Sequence, residues 1–437
     1  MAAAVAARTL FEWAQIVVSG VPTGYGEGAV AHAGQILARG GDPYGPESPG
    51  SFVSANYPPL AYAVGAAGAW LGPFTGLRIV NVVACCAVAL LAGWRARSSP
   101  AVAVAIGASF LALYPVAAWG SGARVDQIAV ACTAFAVVIA SADPRRAALA
   151  GVFGALAMAA KPTAVVPLLA VLAYFAWRER AVAVRFGAAL TIASIAVLAV
   201  VLARFDPAGL WRHLVTYNAF PYDVRNPVFL VLLGILLMGA LVGIALYVGD
   251  GRMRAYLVGA LGVVALGGHE GATFNYLLDL AAASCVALAP LAARPPGRAP
   301  ALIAAQLVAT LILTTMGPLA PPSLATLSAR VEAARDLPQG AVYAEDSGVL
   351  IAANREPVID DTYVWARLVA LGVRQDDVTP RIRDGAFAAV VSDVDLERLE
   401  EAPVFEQQRW PPQLTAAVLE RYRLDRHDRT LWIYLPR

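Results

Sequence analysis

Residues 227–248 read PVFLVLLGILLMGALVGIALYV, a stretch of 22 positions without a charged side chain. A helix needs about 20 mostly apolar residues to cross the hydrocarbon core of a bilayer, so this stretch predicts a transmembrane helix. The rest of the chain has the same character, since 59% of its 437 residues are hydrophobic and only 15% are charged. Its mean hydropathy of +0.62 lies outside the range of ordinary soluble domains. Most of the chain is therefore predicted to lie in lipid.

Ten further segments show this pattern, which predicts a mainly α-helical, polytopic transmembrane bundle of about eleven spans. Leu10–Val18 is a weak span because Glu12 lies inside it and Arg8 precedes it. The 147–177 hairpin is tight, and the run at 255–268 is short for a span. The remaining approximate limits are 76–94, 101–119, 126–142, 147–160, 163–177, 183–204, 275–293 and 299–317.

The arginines orient the bundle, because short cytoplasmic loops are enriched in Lys and Arg. With the N-terminus in the cytoplasm, five short inner loops hold eleven arginines. These are Arg95, Arg97, Arg145, Arg146, Arg178, Arg180, Arg185, Arg252, Arg254, Arg294 and Arg298. Arg supplies all but one of the 33 basic residues, and Ala, Gly and Pro are abundant, which suggests a GC-rich bacterial genome. We predict a multi-pass protein of the bacterial inner membrane.

One apolar segment would invert this orientation if it crossed the bilayer. Tyr57–Leu71 is only 15 residues long and begins next to Pro58 and Pro59, which suits a helix lying along the outer interface. We therefore predict one long outer loop at 20–75, within a transmembrane domain spanning 1–317.

The C-terminal part, 318–437, follows an odd number of spans and is predicted to lie outside as a small soluble α/β domain. It carries 19 acidic and 14 basic residues, and Pro318, Pro321 and Pro322 mark the linker before it. Its pattern predicts strands at Ala341–Ala344, Phe387–Val391 and Leu431–Leu435, and helices at Asp361–Leu371 and Leu414–Arg421. Its sequence has no nucleophile triad, metal cluster or phosphate-binding glycine loop, so we expect it to cover an outer cavity or bind an acceptor.

Two classes of function are excluded or disfavoured by composition. The basic residues are scattered between apolar segments and form no polar face, which excludes nucleic acid as a partner. The four cysteines, Cys85, Cys86, Cys132 and Cys285, lie inside apolar runs without metal or disulfide spacing, and we interpret them as packing residues.

Ionisable residues near spans are costly unless they face water, a partner or a ligand, and here they gather in the predicted outer loops. Glu27 lies in Tyr25-Gly26-Glu27-Gly28, where glycines allow close approach of a ligand. A purely structural role explains Glu27 equally well, because its carboxylate would be stabilised by the dipole of the helix that follows, Ala29–Ala38.

Arg124 and Asp126 lie in a glycine-rich turn that enters a predicted span. An ion pair between helix ends is the simpler reading, but an acid at the mouth of a span favours a polar cavity. Lys161 is the single lysine and is predicted outside, against the usual charge bias. A snorkelling anchor would explain it, yet a lone outer cation is well suited to bind phosphate.

Two further outer segments hold candidate binding residues. Arg212 and His213 lie in an aromatic-rich loop that suits either a phospho-sugar or an interfacial belt. Asn275, with Tyr276 beside it, stands four residues before Asp279, on one side of a predicted span.

This order of features resembles the GT-C superfamily of integral-membrane glycosyltransferases, which includes protein O-mannosyltransferases and lipid A aminoarabinose transferases. The matching pieces, across most of 20–437, are Tyr25–Gly28, the segment from Asn56 through Tyr57 to Leu60, Arg78, Asp126, the Lys161 turn and an outer C-terminal domain.

The resemblance implies a polyprenyl-phosphate-linked sugar donor, a cell-envelope acceptor and inversion at the anomeric carbon. It implies that Glu27 is the general base and that Asp126 is a second supporting acid. Lys161 and Arg124 would neutralise the lipid phosphate, and Tyr25 and Tyr57 would contact substrate. Many members have paired acids where this chain has Gly-Glu-Gly, which leaves the base and any divalent metal open, and no cofactor is assigned.

Two other functions fit parts of the sequence. A transporter or flippase of lipid-linked sugars would need repeated halves with broken helices, and the sequence has no such repeat. A non-catalytic assembly partner would present the outer domain alone, and the activity of a Glu27 variant would distinguish it from an enzyme.

Overall fold

A helical bundle fills the first three quarters of the chain. The computed structural model describes residues 1–293, 297–315, 322–428 and 430–437. The helices of the bundle and its loops are α1 (Ala2–Ser19), α2 (Glu27–Ala38), α3 (Leu60–Ala67), α4 (Thr75–Arg95), α5 (Pro100–Ala112), α6 (Tyr114–Trp119), α7 (Asp126–Ala142), α8 (Ala147–Ala160), α9 (Val165–Arg178), α10 (Arg180–Arg204), α11 (Pro207–Leu214), α12 (Arg225–Val248), α13 (Gly251–Leu266), α14 (Leu278–Ala287) and α15 (Ala299–Thr315).

Within the described residues, each predicted span contains helical structure, which confirms the mainly α-helical class; residues 316 and 317 of the last span lie outside them. Within the described residues, four helical stretches are long and apolar enough to cross a membrane: Thr75–Arg95, Arg180–Arg204, Arg225–Val248 and Phe274–Ala292. The number of crossings and the side on which each loop lies stay predictions. Arg294, one of the orienting arginines, lies outside the described residues.

Proline divides one predicted span into two helices. The segment predicted at 101–119 forms α5 and α6, with Leu113 between them in an extended conformation. Pro115 lacks an amide hydrogen and its ring crowds the carbonyl four residues earlier, so the helix cannot run through it. A polar turn then follows α6 and leads into the start of α7.

The segment Tyr57–Leu71 is too short to cross a bilayer. Its helix α3 has eight residues and ends in a single 3-10 turn, Ala69–Leu71. Eight residues rise only about 12 Å, against about 30 Å of hydrocarbon. Trp70 at its end is 82% exposed, and the location of this helix along the outer interface stays a prediction.

The C-terminal domain is built on a four-stranded sheet. Its elements are α16 (Leu324–Arg335), β1 (Val342–Ala344), α17 (Ser347–Ala352), α18 (Thr362–Ala370), α19 (Thr379–Arg383), β2 (Ala389–Ser392), α20 (Val404–Gln407), α21 (Pro412–Arg421), β3 (Tyr422–Asp428) and β4 (Leu431–Pro436). The strand order is β1-β2-β4-β3, with β1 and β2 parallel and the other pairs antiparallel. The boundary at 317, with Pro318 and Pro321 of the predicted linker, lies outside the described residues, and Pro322 is the first residue described after it.

The long first loop and the C-terminal domain pack closely. Phe52 forms a parallel bridge with Ile359, and the His32 ring lies 3.1 Å from the Asp360 carboxylate. At Gly28 an added Cβ would lie 2.2 Å from the Ser347 hydroxyl oxygen, so only glycine allows α2 to approach α17 this closely. The domain therefore covers the face of the bundle that carries the first loop.

Candidate active site

A cavity of about 690 Å³ lies between the helical bundle and the C-terminal domain. This volume falls within the range of about 300–1,000 Å³ that is usual for ligand sites. Seven of the ten site residues predicted from the sequence line it. They are Tyr25, Tyr57, Arg124, Asp126, Lys161, Asn275 and Tyr276.

The polar centre of the cavity is a cluster of Asp126, Lys161 and Asn275. The Lys161 ammonium lies 2.6 Å from Oδ1 of Asp126, and the Asn275 amide donates to the same oxygen at 3.0 Å. The ammonium also lies 4.5 Å from the centre of the Tyr276 ring. Among the described residues no hydrogen bond reaches Oδ2 of Asp126, and Lys161 donates to Asp126 alone. An acceptor oxygen and two N–H donors are thus left available beside the cavity.

Helix ends place these three residues. Asp126 is the first residue of α7, where a carboxylate is stabilised by the positive end of the helix dipole. Lys161 follows α8 in an extended conformation that precedes Pro162, so the helix ends there. Asn275 lies in the 3-10 turn Phe274–Leu277 ahead of α14.

The charge of Lys161 is maintained despite its burial. Burial alone would lower the pKa of the ammonium, but the adjacent Asp126 carboxylate outweighs this effect and holds the pKa above its usual value. Burial also raises the pKa of the Tyr57 hydroxyl to about 12, and the Asp126 carboxylate adds to the rise. Tyr57 therefore stays neutral beside a charged pair and can donate a hydrogen bond to a ligand.

Arg124 provides the second cation of the cavity. Its guanidinium donates to the carbonyl oxygen of Tyr25 at 2.6 Å and lies 5.1 Å from the Trp119 ring. Gly26 has a φ of +89°, and an added Cβ there would lie 3.2 Å from the guanidinium. The Tyr25–Gly28 turn therefore holds Arg124 at the wall of the cavity.

Glu27 is fully buried and lies behind the wall of the cavity. Its carboxylate pairs with Arg78 at 2.7 Å and accepts the backbone N–H of Thr23 at 2.7 Å and that of Ala123 at 2.5 Å. Burial would raise the pKa of Glu27, but Arg78, Arg124 and the Thr23 N–H outweigh it and hold the pKa below its usual value. A carboxylate with both oxygens occupied and a lowered pKa is poorly suited to accept a proton. Its role as a base stays a prediction that this geometry does not favour.

The predicted binding residues Arg212 and His213 do not line the cavity. His213 is fully buried between the rings of Tyr44 and Tyr217, with Nδ1 2.8 Å from the carbonyl oxygen of Ser54. Burial lowers the pKa of its imidazole. His213 therefore packs between residues of three loop segments, and its role in ligand binding stays a prediction that this geometry does not favour.

Several cavity residues were missed by the sequence interpretation. The C-terminal domain contributes Asp361, Tyr363, Val364 and Phe405 to the wall, and the loop before α14 contributes Glu270. The pair of acids at 360–361 immediately before a helix was a signal for Asp361, but it reads equally as a helix cap. The contacts that determine which face of the domain packs against the bundle join residues more than 300 positions apart.

Asp279 lies one helical turn beyond Asn275, on α14. It is 6% exposed, and its Oδ1 has no hydrogen-bond partner among the described residues. It interacts electrostatically with both Lys161 and Asp126. Within the described parts of the chain, no group of three or more His, Cys, Asp or Glu side chains is arranged to hold a metal.

The fold is shared with two solved structures. No family model matches the chain, and no curated protein matches its sequence. ArnT from Cupriavidus metallidurans bound to undecaprenyl phosphate matches with a TM-score of 0.62 at 13% identity, covering 98% of this chain and 97% of that chain. ArnT from the same organism in the apo state matches with a TM-score of 0.60 at 14% identity, covering 97% of each chain. The fold implied by the family resemblance is therefore confirmed.

Proposed function

We propose that the chain is an inverting membrane glycosyltransferase that moves a sugar from a polyprenyl-phosphate donor to an acceptor of the cell envelope. The observation that carries this proposal is the cluster of Asp126, Lys161 and Asn275 in the cavity. A glycosyl transfer needs a base for the acceptor proton and a cation for the departing phosphate, and the cluster holds one of each.

The reaction proceeds by a single displacement. The oxygen of an acceptor hydroxyl attacks the anomeric carbon, and the bond from that carbon to the phosphate oxygen breaks. The hydroxyl proton passes to Oδ2 of Asp126, and polyprenyl phosphate leaves with the electron pair of the broken bond. Lys161 is paired with Asp126 before the reaction, so protonation of Asp126 frees its charge for the leaving phosphate. Arg124 provides a second positive charge at the same wall.

We assign the base to Asp126 and a positioning role to Glu27. Asp126 lines the cavity with one oxygen available, whereas Glu27 is buried against Arg78. Glu27 acts on the site through the backbone of Ala123, which stands one residue before Arg124. Loss of Glu27 would shift the turn that presents both Arg124 and Asp126.

The fold match supports the donor class, because one of the matching structures contains undecaprenyl phosphate. Localisation follows from the same proposal. The protein would lie in the bacterial inner membrane with its N-terminus in the cytoplasm, and the cavity and C-terminal domain would face outward. A lipid-linked donor then reaches the cavity from the outer leaflet of the bilayer.

Donor cleavage by the purified protein in lipid nanodiscs tests the proposal. Undecaprenyl-phosphate-linked sugars would be supplied, and released undecaprenyl phosphate measured with water or added saccharides as acceptor. Asp126→Asn should reduce release by about 10²–10⁴-fold, the usual contribution of a positioned base, while binding of undecaprenyl phosphate survives.

Glu27→Gln is the comparison for Asp126→Asn in the same assay. A dead Glu27→Gln that remains correctly folded, beside an active Asp126→Asn, would exchange the two roles. Movement of the lipid-linked sugar across the bilayer without release would favour the flippase alternative instead.

A further inference from the structure

Part of the cavity wall has a chemistry different from that of the Asp126 cluster. It is aromatic, and the C-terminal domain contributes two of its four rings. The Tyr363 and Phe405 rings lie 4.7 Å apart, Tyr25 meets Phe405 edge-on at 6.0 Å, and Phe220 lies 6.4 Å from Tyr363. All four residues line the cavity.

A carboxylate lies within this aromatic wall. Oδ1 of Asp361 accepts the Tyr25 hydroxyl at 2.6 Å and the backbone N–H of Val364 at 3.0 Å. No hydrogen bond from the described residues reaches Oδ2, although Asp361 is only 9% exposed and lines the cavity. Desolvation raises the pKa of this carboxyl to about 6, so it is ionised above that pH and then accepts hydrogen bonds only.

The cation that stacks on these rings does not line the cavity. Arg409 stacks against the Tyr25 ring at 3.8 Å and pairs with Glu345 at 2.7 Å, and it is 4% exposed. Arg409 therefore packs against the rings without lining the cavity, and its charge is neutralised by Glu345. Among the described residues, Arg409 is thus unavailable to an anionic ligand group, whereas Lys161 and Arg124 line the cavity; Arg124 meets this wall at the Tyr25 carbonyl oxygen.

Aromatic faces combined with a hydrogen-bond-accepting carboxylate suit a neutral, polyhydroxylated ring. The apolar C–H face of a saccharide packs against aromatic rings, which bury a large area at low entropic cost. Its hydroxyl groups donate to a carboxylate oxygen, and a charge-assisted bond of this kind is about twice as strong as a neutral one.

We propose that Tyr25, Asp361, Tyr363 and Phe405 form a saccharide-binding subsite, with the C-terminal domain supplying three of its four side chains. This inference rests on the proposed function and adds to it the chemical class that binds at the aromatic part of the cavity wall. The saccharide belongs either to the acceptor or to the sugar of the donor, and these two sources are separable by competition.

Saturation-transfer NMR with the full-length protein in nanodiscs tests the subsite. The probes are methyl glycosides of common hexopyranoses and pentofuranoses, used singly. Wild-type protein should transfer saturation to at least one of them. Phe405→Leu and Asp361→Asn should each weaken that binding by about tenfold or more, which corresponds to about 1.4 kcal/mol.

Matched controls come from the same domain. Trp432→Leu removes a ring that stacks on His427 at 4.1 Å, and Asp395→Asn alters a cap that accepts the backbone N–H of Glu397 at 3.0 Å. Neither residue lines the cavity. Both variants should bind the glycoside as wild type does, and binding of undecaprenyl phosphate, measured in parallel, shows that each variant is folded.

Competition identifies the source of the saccharide. A glycoside that stays bound when undecaprenyl-phosphate-linked sugar is added occupies an acceptor subsite, and one that is displaced by the linked sugar but not by undecaprenyl phosphate occupies a donor-sugar subsite. Absence of saturation transfer to every glycoside, or equal losses in the control variants, would overturn the inference. Undecaprenyl phosphate binding and release are measured separately, so the proposed function can survive that result.

Discussion

Replacing Glu27 by Gln keeps the shape of the side chain and removes its charge, which separates a positioning role from a catalytic one. Glu27 and Arg78 are both fully buried and pair at 2.7 Å. Breaking a buried pair by removing one partner costs about 3–5 kcal/mol. Arg78 would keep its hydrogen bonds to the carbonyl oxygens of Ile16 and Val21, at 3.0 and 2.7 Å. We therefore expect the lower end of that range, about 3 kcal/mol.

Amide hydrogen exchange measures this loss of stability at the backbone groups that contact Glu27. The backbone amides of Thr23 and Ala123 both donate to Glu27, so local opening of this contact exposes them together. A loss of about 3 kcal/mol should accelerate their exchange about 100-fold, since each 1.4 kcal/mol is a factor of ten. Arg78→Met should give a similar acceleration. The double variant should recover part of it, because two contacting residues are energetically coupled.

Unchanged exchange in Glu27→Gln, together with a loss of activity of about 10²–10⁴-fold, would refute this reasoning and restore Glu27 as the base. A double variant no more stable than either single variant would also contradict it, because the cost would then not arise from an unpaired buried charge.

Three other predictions are open to direct measurement. Lys161→Ala should weaken the binding of undecaprenyl phosphate in nanodiscs while the fold is retained, and Lys161→Arg should keep part of it, since charge is preserved and shape is not; normal binding by Lys161→Ala would remove Lys161 from the phosphate site. Burial, with Glu345 and Asp346 nearby, outweighs Arg330 and raises the pKa of Asp393 to about 7. The folded domain then binds this proton more tightly than the unfolded chain, whose Asp pKa is about 3.9, so its stability should fall as pH rises from about 4 to about 7. Asp393→Asn should reduce that fall in the thermal unfolding midpoint, and an unaltered pH profile would contradict the assignment. Ser48→Cys in a cysteine-free background should be labelled from the outside by an impermeant maleimide; labelling from the cytoplasm alone would invert the predicted topology.

The helical architecture could be predicted from local sequence, but the packing of the C-terminal domain against the bundle could not. Runs of apolar residues are sufficient to locate helices. The backbone polar groups of a segment in lipid must all be hydrogen-bonded within the protein, and few structures other than a helix achieve this. The break at Pro115 was not anticipated, although it follows from the geometry of proline. β3 was also missed, since its residues are polar and mostly exposed at the edge of the sheet and show no apolar alternation.

The sequence predicted those site residues that are unusual on their own, such as a charged residue beside an apolar run. Lys161 is the one lysine, and Asp126 stands at the mouth of an apolar run, so each drew attention on its own. Glu27 drew the same attention, but its partner Arg78 lies 51 residues away and sequence spacing does not reveal that pairing. Asp361 and Phe405 were missed because they belong to the C-terminal domain, and sequence spacing does not show that they line the same cavity as the Asp126 cluster.

The bond between Tyr25 and Asp361 joins residues 336 positions apart, which has a consequence for biosynthesis. At about 5–20 residues per second, a ribosome needs roughly 20–70 s to travel between them. Lys161 precedes Asp361 by 200 positions, so for the later part of that interval the nascent chain has the cations of the cavity but not the side chains that the C-terminal domain supplies. Under the proposed function, a half-made molecule in the membrane would meet lipid-linked substrates before its cavity is complete, and the cavity would gain its last wall only after the C-terminal domain is made.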